Sequence, residues 1–217
     1  MRFEKNIKGK DFIVGDLHGM YDLLHSRLTA IGFDKTKDRL FSVGDLIDRG
    51  NKSMECLSLI REDWFFAVRG NHEQMMCDAL PSMDQSKLIH WIGNGGDWAF
   101  SDEVDTDELG GLILEVKDSM PLWMEVEVDG GAIGIVHAEP PNDWLAVING
   151  EQKEHILWSR TKIKNQDDTV IKNIDRVYVG HTPLKKPANL GNTRYIDTCA
   201  FYTGVLTVER LSLETDQ

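Results

Sequence analysis

The sequence predicts an α/β protein in which two sheets are stacked with helices outside, and three observations carry that prediction. Five short apolar runs each break off at Gly, Asp, Asn or His: Phe12-Ile13-Val14-Gly15-Asp16-Leu17-His18, Phe41-Ser42-Val43-Gly44-Asp45, Phe66-Ala67-Val68-Arg69-Gly70-Asn71-His72, Gly134-Ile135-Val136-His137 and Val177-Tyr178-Val179-Gly180-His181. A β-branched or aromatic run ending in Gly reads as a strand that delivers its next side chain to one sheet edge. Helical periodicity alternates with these runs in the first third of the chain. The later part turns strand-rich, and two sheets layered between helices satisfy both halves.

The elements follow in order. After the strand at Phe12, the residues Tyr21, Leu24, Leu28 and Ile31 recur at helical spacing, and Gly32 is placed to cap the C-terminus. After the second strand, Asn51 or Ser53 is expected to cap a helix carrying Met54, Leu57 and Ile60. Trp64 to Val68 makes the third strand, and this βαβαβ start implies parallel strands with right-handed crossovers. From Glu73 to about Lys117 the chain reads as helical, interrupted at Gly93-Asn94-Gly95-Gly96. Further strands are expected at 122–128, 132–137, 176–179, 194–197 and 204–209. No repeat, low-complexity tract or Pro/Gly/Ser linker divides the chain, so residues 1–217 are read as a single domain.

Bulk properties narrow the function. The net charge of −12 argues against non-specific nucleic-acid binding, which needs a basic surface. Any anionic substrate must therefore be drawn by local positive charge. Cys56, Cys77 and Cys199 are an odd number without framework spacing, as expected in a reducing compartment. The opening Met1-Arg2-Phe3-Glu4-Lys5 lacks a signal-peptide pattern, and no run is long enough to span a bilayer. A cytoplasmic protein is expected.

The residues delivered at the strand ends are Asp16, His18, Asp45, Asn71, His137 and His181. Parallel strands that end together converge in one crevice, where open α/β folds bind ligands. One Gly-Asp after a strand is most simply a turn. Five such endings with Arg and His beside them make a metal-binding set. Asp16-x-His18 can hold one ion, while Asp45, Asn71, His137 and His181 can complete a second site, with Asp45 suited to bridging. Mixed nitrogen and oxygen donors without thiolate fit Mn, Fe or Zn better than Ca or Mg. Two such ions about 3.5–4 Å apart suit phosphate-ester hydrolysis. Arg49 and Arg69 flank the set, and a guanidinium fork matches two phosphoryl oxygens. His72 follows Asn71 directly and can protonate a leaving alcohol, with Asp48 holding its tautomer. His25, His90 and His155 read as surface or packing residues, and the six tryptophans as core. Lys185-Lys186 reads as a solvated loop pair, and Asp102 to Glu108 as an exposed face or loose loop.

Gly15-Asp16-Leu17-His18-Gly19, Gly44-Asp45-Leu46-Ile47-Asp48-Arg49-Gly50, Arg69-Gly70-Asn71-His72-Glu73 and Gly180-His181-Thr182 together resemble the signature of the metallophosphoesterases, in their phosphoprotein phosphatase branch. The likeness is greatest to the small bacterial and lambda-type phage serine/threonine phosphatases. It extends to Ala67 through Met76, to Asn94-Gly95-Gly96-Asp97-Trp98 and to Tyr195-Ile196-Asp197-Thr198. The resemblance implies a calcineurin-like, four-layer α/β/β/α sandwich with two divalent metal ions at the strand ends, Mn2+ foremost and Fe or Zn as alternatives. Asp16, His18 and Asp45 would hold the first ion, and Asp45, Asn71, His137 and His181 the second. His72 would be the general acid, paired with Asp48. Arg49 and Arg160, the latter in Trp158-Ser159-Arg160, would bind phosphate, with Asn71 and Arg69 also placed on the substrate side. The implied reaction is hydrolysis of phosphoserine and phosphothreonine, and of phosphotyrosine in some members, by direct attack of a metal-bridging hydroxide. The expected partners are phosphoproteins or phosphopeptides, with no nucleic acid and no membrane, and the expected state is a monomer.

Two alternatives stand beside it. A dinucleoside-polyphosphate hydrolase shares the fold and most ligands, but that branch replaces the Asp of Asp48-Arg49-Gly50. A non-catalytic interaction module predicts lost ligands. Two departures from the family pattern are visible. His137-Ala138-Glu139 stands where His-Ala-Asp is common, with a small effect on loop geometry expected. Cys199 stands where Gly is expected, and it reads as a small buried cysteine or an oxidation-sensitive thiol near the metals.

Overall fold

The computed structural model describes residues 1–213. The chain opens with β1 (Arg2–Phe3) and β2 (Asp11–Val14), then α1 (Tyr21–Ala30), β3 (Arg39–Ser42) and α2 (Ser53–Ser58). Next come β4 (Phe65–Ala67), α3 (Asn71–Ala79), α4 (Gln85–Ile92) and α5 (Thr106–Ser119). The second half holds β5 (Trp123–Val128), β6 (Gly131–Val136), α6 (Trp144–Ile148), α7 (Lys153–Trp158) and α8 (Thr161–Asn165). It ends with β7 (Arg176–Val179), β8 (Ala188–Leu190), β9 (Thr193–Tyr195), α9 (Ala200–Thr203) and β10 (Val208–Arg210).

The strands form a four-stranded sheet in the order β10-β2-β3-β4 and a six-stranded sheet in the order β1-β5-β6-β7-β9-β8. Strands β2, β3 and β4 run parallel, with Val14 opposite Ser42 and Ser42 opposite Ala67. In the larger sheet β6, β7 and β9 run parallel as well. Both sets therefore point their carboxyl ends the same way as their neighbours do.

Side-chain alternation builds the layers. Successive strand residues face opposite sides. Ile13 and Phe41 meet Met124, Ile133, Ile135 and Tyr178 in one buried cluster, which is the seam between the sheets. Phe12 and Val14, from the same strand, face the other way and pack with Leu24, Leu57, Met76 and Leu112 of the helices beyond. Val177 and Val179 likewise face away from Tyr178, onto Trp144, Val147, Ile156 and Ile163. The result is the α/β/β/α order that the sequence predicts.

Local differences have local causes. Lys52, not Asn51 or Ser53, is the N-cap of α2, because the Ser53 hydroxyl accepts the Asp48 N–H at 2.9 Å instead. Gly32 takes a φ of +66° just past α1, as its capping role requires. The strand expected at 204–209 shrinks to β10, because residues 200–203 form a helical turn that Gly204 ends at φ +70°. Asp102 to Glu108 is largely exposed, and Asp105 caps α5 by accepting the N–H groups of Asp107 and Glu108. Lys185 and Lys186 are exposed in a loop, as expected.

Candidate functional site

Every predicted ligand lies just past the carboxyl end of a parallel strand. Asp16 follows β2, Asp45 follows β3, Asn71 follows β4, His137 follows β6 and His181 follows β7. Backbone hydrogen bonds pin these loops to one another. The N–H groups of Leu17 and His18 donate to the Asp45 carbonyl at 3.0 and 2.9 Å, and Gly180 N–H donates to the His137 carbonyl at 2.8 Å. His18, Asp45, Asp48, Arg49 and His181 all adopt positive φ, between 43° and 73°. Each such residue costs about 1–3 kcal/mol, and such strain gathers where function needs a fixed geometry. Asp45 also needs bare backbone opposite it: a Cβ on Gly70 would stand 2.1 Å from Asp45 Oδ1. Gly70→Ala is therefore expected to displace that carboxylate and weaken divalent-metal affinity about 10- to 100-fold, the range for disturbing groups behind a ligand. Calorimetric titration with Mn2+ checks it.

The ligand atoms converge on Asp45. Its Oδ2 lies 3.3 Å from His137 Nε2, 3.7 Å from His18 Nε2 and 3.8 Å from His72 Nε2. Asn71 Oδ1 lies 2.8 Å from His137 Nε2 and 2.9 Å from His181 Nδ1. All of these side chains are buried. Backbone carbonyls fix which nitrogen of each ring is bare. His18 Nδ1 donates to the Ile47 carbonyl at 2.8 Å and His137 Nδ1 to the Val43 carbonyl at 2.8 Å, while His181 Nε2 faces the Trp158 carbonyl at 3.2 Å. The remaining nitrogens of His137 and His181 turn toward the Asp45 and Asn71 oxygens, while that of His18 accepts Arg49 Nη1 at 2.6 Å and has Asp45 Oδ2 3.7 Å away. Lone pairs facing lone pairs are satisfied by a cation, so the donor set fits divalent metal ions.

For His18 and His181 the electrostatics agree, whereas at His137 burial works to lower the ring but the Asp45 charge beside it raises it. Burial lowers His18 to about 3 and, with the His137 charge, His181 to about 3, so both rings stay neutral donors. Burial, with the nearby Asp197 and Asp45 charges, raises Asp16 well above its usual range. Burial also works to raise Asp45, yet the His137, His72 and His18 rings together hold it well below the usual carboxylate range.

Two groups of ligand atoms lie within mutual reach of one ion each: His18, Asp45 and His72, and Asp45, His137 and His181. The second is the set expected with Asn71. The first contains His72 where Asp16 was expected. The Asp16 carboxylate accepts the His181 N–H at 3.1 and 3.2 Å, beside the cluster.

His72 is held from behind. Its Nδ1 lies 2.6 Å from Asp48 Oδ2, and Asp48 in turn accepts Trp91 Nε1 at 2.9 Å and Trp98 Nε1 at 2.7 Å. Arg49 is exposed, yet its guanidinium reaches His18 Nε2 at 2.6 Å and His72 Nε2 at 2.9 Å and lies over the Phe201 ring at 5.1 Å. Arg160 Nη2 donates to the His181 carbonyl at 3.1 Å, which places it at the same edge.

Two expectations are corrected, and one residue was missed. Arg69 turns away: its guanidinium donates to the Val116 and Lys117 carbonyls at the end of α5 and to Gln74, so it ties helix to loop rather than facing the ligands. The tryptophans are more than core, since Trp91 and Trp98 hold Asp48, and Trp158 is 37% exposed with its ring edge against His181. Glu73, given no role of its own in the sequence reading, is fully buried and accepts the N–H groups of Asp45, Leu46 and Gly70 at 2.7–3.0 Å. Burial, with the Asp45 charge, pushes it up to about 7. Its signal was visible as an acid at the third position of a helix after Gly70. Cys199 sits at φ +57°, consistent with the glycine expected there, and burial, with the Asp197 charge, raises its thiol. The thiol is half-buried rather than buried as expected, and its upward shift makes it a poorer nucleophile.

Comparison with known proteins accords with this chemistry. Residues 12–207 match the family model described as calcineurin-like phosphoesterase. The chain is similar to serine/threonine-protein phosphatase 1 of Salmonella typhimurium, 39% identical over 200 residues that cover 92% of this chain and 91% of that protein. It is also similar to an asymmetrical bis(5'-nucleosyl)-tetraphosphatase of Anoxybacillus flavithermus, 27% identical over 224 residues that cover 91% and 89% of the two chains. Among solved structures, a protein serine/threonine phosphatase from Saccharomyces cerevisiae aligns with a TM-score of 0.61 at 17% identity, covering 91% of this chain and 70% of that one. At that identity the likeness shows the fold alone.

Proposed function

The chain belongs to the calcineurin-like phosphoesterase family, and from that premise we propose that it is a phosphoprotein phosphatase acting on phosphoserine and phosphothreonine, with phosphotyrosine as a further substrate. The observation that carries the reading is the buried Asp48–His72 pair, 2.6 Å apart and locked by two indole N–H groups. An alkoxide leaving from serine or threonine is strongly basic and needs a proton as the ester breaks. His72 holds its Nδ1 against Asp48, so Nε2, turned toward Arg49 and the ligands, is the atom through which a proton would reach the leaving oxygen. A leaving nucleotide phosphate is far less basic and needs such an acid less.

Two divalent ions bound by Asp16, His18, Asp45, Asn71, His137 and His181 would polarise the phosphoryl group and supply a nucleophile from water at neutral pH. We propose Mn2+ for these sites, since the donors mix imidazole with carboxylate and amide oxygen. Arg49, whose guanidinium already reaches both His18 and His72, grips the phosphoryl oxygens beside the acid, and Arg160 does so from the His181 side. Their positive charge offsets the repulsion that a chain of net charge −12 exerts on a phosphate. The free thiols of Cys56, Cys77 and Cys199 support a cytoplasmic setting. No described helix is long and apolar enough to cross a membrane.

The likeness to the tetraphosphatase from Anoxybacillus keeps dinucleoside-polyphosphate hydrolysis as the second reading. Stripping metals with a chelator, restoring Mn2+ and assaying a phosphoserine peptide beside a dinucleoside tetraphosphate separates the two. Faster Mn2+-dependent turnover of the peptide is expected. Preference for the tetraphosphate would overturn the substrate class and keep the metal centre.

A further inference from the structure

We propose that Glu139 is a positioning residue, whose buried carboxylate fixes residues 158–163 so that Arg160 faces the bound phosphate; this rests on the role given to Arg160 above. Glu139 lies two residues beyond His137 and is 1% exposed. Its Oε2 accepts Ser159 Oγ at 2.8 Å and Lys162 N–H at 2.9 Å. Its Oε1 accepts Ile163 N–H at 2.9 Å and the Tyr195 hydroxyl at 3.1 Å. Three of these four donors flank Arg160 in the chain. Burial, with the Glu139 charge, raises the Tyr195 phenol above its usual range, so it stays a donor.

The far end of this segment has further ties, since Lys162 Nζ donates to Asn142 Oδ1 at 3.3 Å and to the Thr169 carbonyl at 3.0 Å and Ile163 packs in the Trp144 cluster, but around Ser159 and Arg160 the ties are fewer. α8 has five residues, too few to be stable by its own helical bonds. The Arg160 guanidinium has no carboxylate within ion-pair distance among the described residues, and its Nη2 donates to the His181 carbonyl. The preceding residue, Trp158, offers its carbonyl to His181 Nε2. The segment thus joins a metal ligand to a phosphate-binding arginine, and Glu139 is the buried carboxylate that ties the residues on both sides of that arginine together. A metal-ligand role for Glu139 itself does not fit, because each of its oxygens already accepts two hydrogen bonds.

The test measures inorganic phosphate binding to the Mn2+-loaded protein by calorimetry, and kcat/KM on a phosphoserine peptide. Glu139→Gln faces an amide N–H toward donors and is expected to weaken both roughly 10- to 100-fold, as a misplacement of about 1 Å does. Glu139→Asp, which keeps the charge, is expected to recover part of that loss. Neither Glu139→Gln nor Ser159→Ala is expected to add more than about twofold on an Arg160→Ala background, since groups acting through one residue are not additive. Losses that multiply with Arg160→Ala overturn the proposal, as does an Arg160→Ala variant that binds phosphate like wild type. If Glu139→Gln does not fold, the Ser159→Ala comparison decides alone. Phosphate binding does not depend on which ester is cleaved. A wild-type preference for the tetraphosphate therefore overturns the substrate reading while the coupling of Glu139 to Arg160 is still read.

Discussion

Asp45→Asn is expected to remove Mn2+-dependent hydrolysis, with kcat/KM falling by roughly 10³-fold or more. The figure follows from the several kcal/mol that metal ions contribute to a phosphoryl transition state. Asp45 is the one carboxylate common to both groups of ligand atoms, and its Oδ2 faces three imidazole nitrogens. An amide there would place N–H groups or a weaker acceptor between two cations, and neither ion would be held as before. Stability should report the same loss independently of activity. A hundredfold excess of metal over its dissociation constant stabilises the native state by about 2.7 kcal/mol per site. In a chain of this size that raises the melting point by roughly 5–10 °C. Wild type is expected to show such a Mn2+-dependent rise, and Asp45→Asn to lose most of it. A variant that keeps the full rise and full activity would place the bridging ligand elsewhere.

Much of this centre was legible because its signals are local. An apolar run that breaks off at Gly, Asp, Asn or His announces both its direction and its payload, so the positions of Asp16, Asp45, Asn71, His137 and His181 at strand ends were readable from sequence. The layers were legible too, since Ile13 alternates with Phe12 and Val14 at the strand period, and Tyr178 with Val177 and Val179. What stayed hidden depends on partners far away in sequence. Arg69 and Arg160 look alike as arginines beside motifs, and only packing sends one to the end of α5 and the other to His181. Trp91 and Trp98 score as apolar residues, while their N–H groups bind a carboxylate more than 40 positions earlier. Ser53 is a good capping residue by type, but the Asp48 N–H claims its hydroxyl first. Glu139 differs from the common residue by a single methylene, and the reach of its carboxylate to Ser159, Lys162, Ile163 and Tyr195 appears only in three dimensions.

His72→Asn should lower kcat on a phosphoserine peptide by about 10²- to 10⁴-fold, the range for removing a positioned general acid. The substrate dependence of that loss is the sharper test. With an aryl phosphate whose nitrophenolate leaves without help, the proton is not needed, and the variant should lose far less. The geometry explains why the effect should be so selective. Asp48 holds His72 Nδ1, and Trp91 and Trp98 hold Asp48, so the ring is fixed with Nε2 toward Arg49 and the ligands. Asp48→Asn should reproduce the pattern, since an amide nitrogen there would meet an indole or imidazole N–H head-on and release the ring. His72 also lies within reach of the ion that His18 and Asp45 would share. Equal losses on the peptide and the aryl phosphate, together with weakened Mn2+ binding, would therefore assign His72 to metal ligation. Loss confined to the poor leaving group, with Mn2+ binding intact, would assign it to proton transfer.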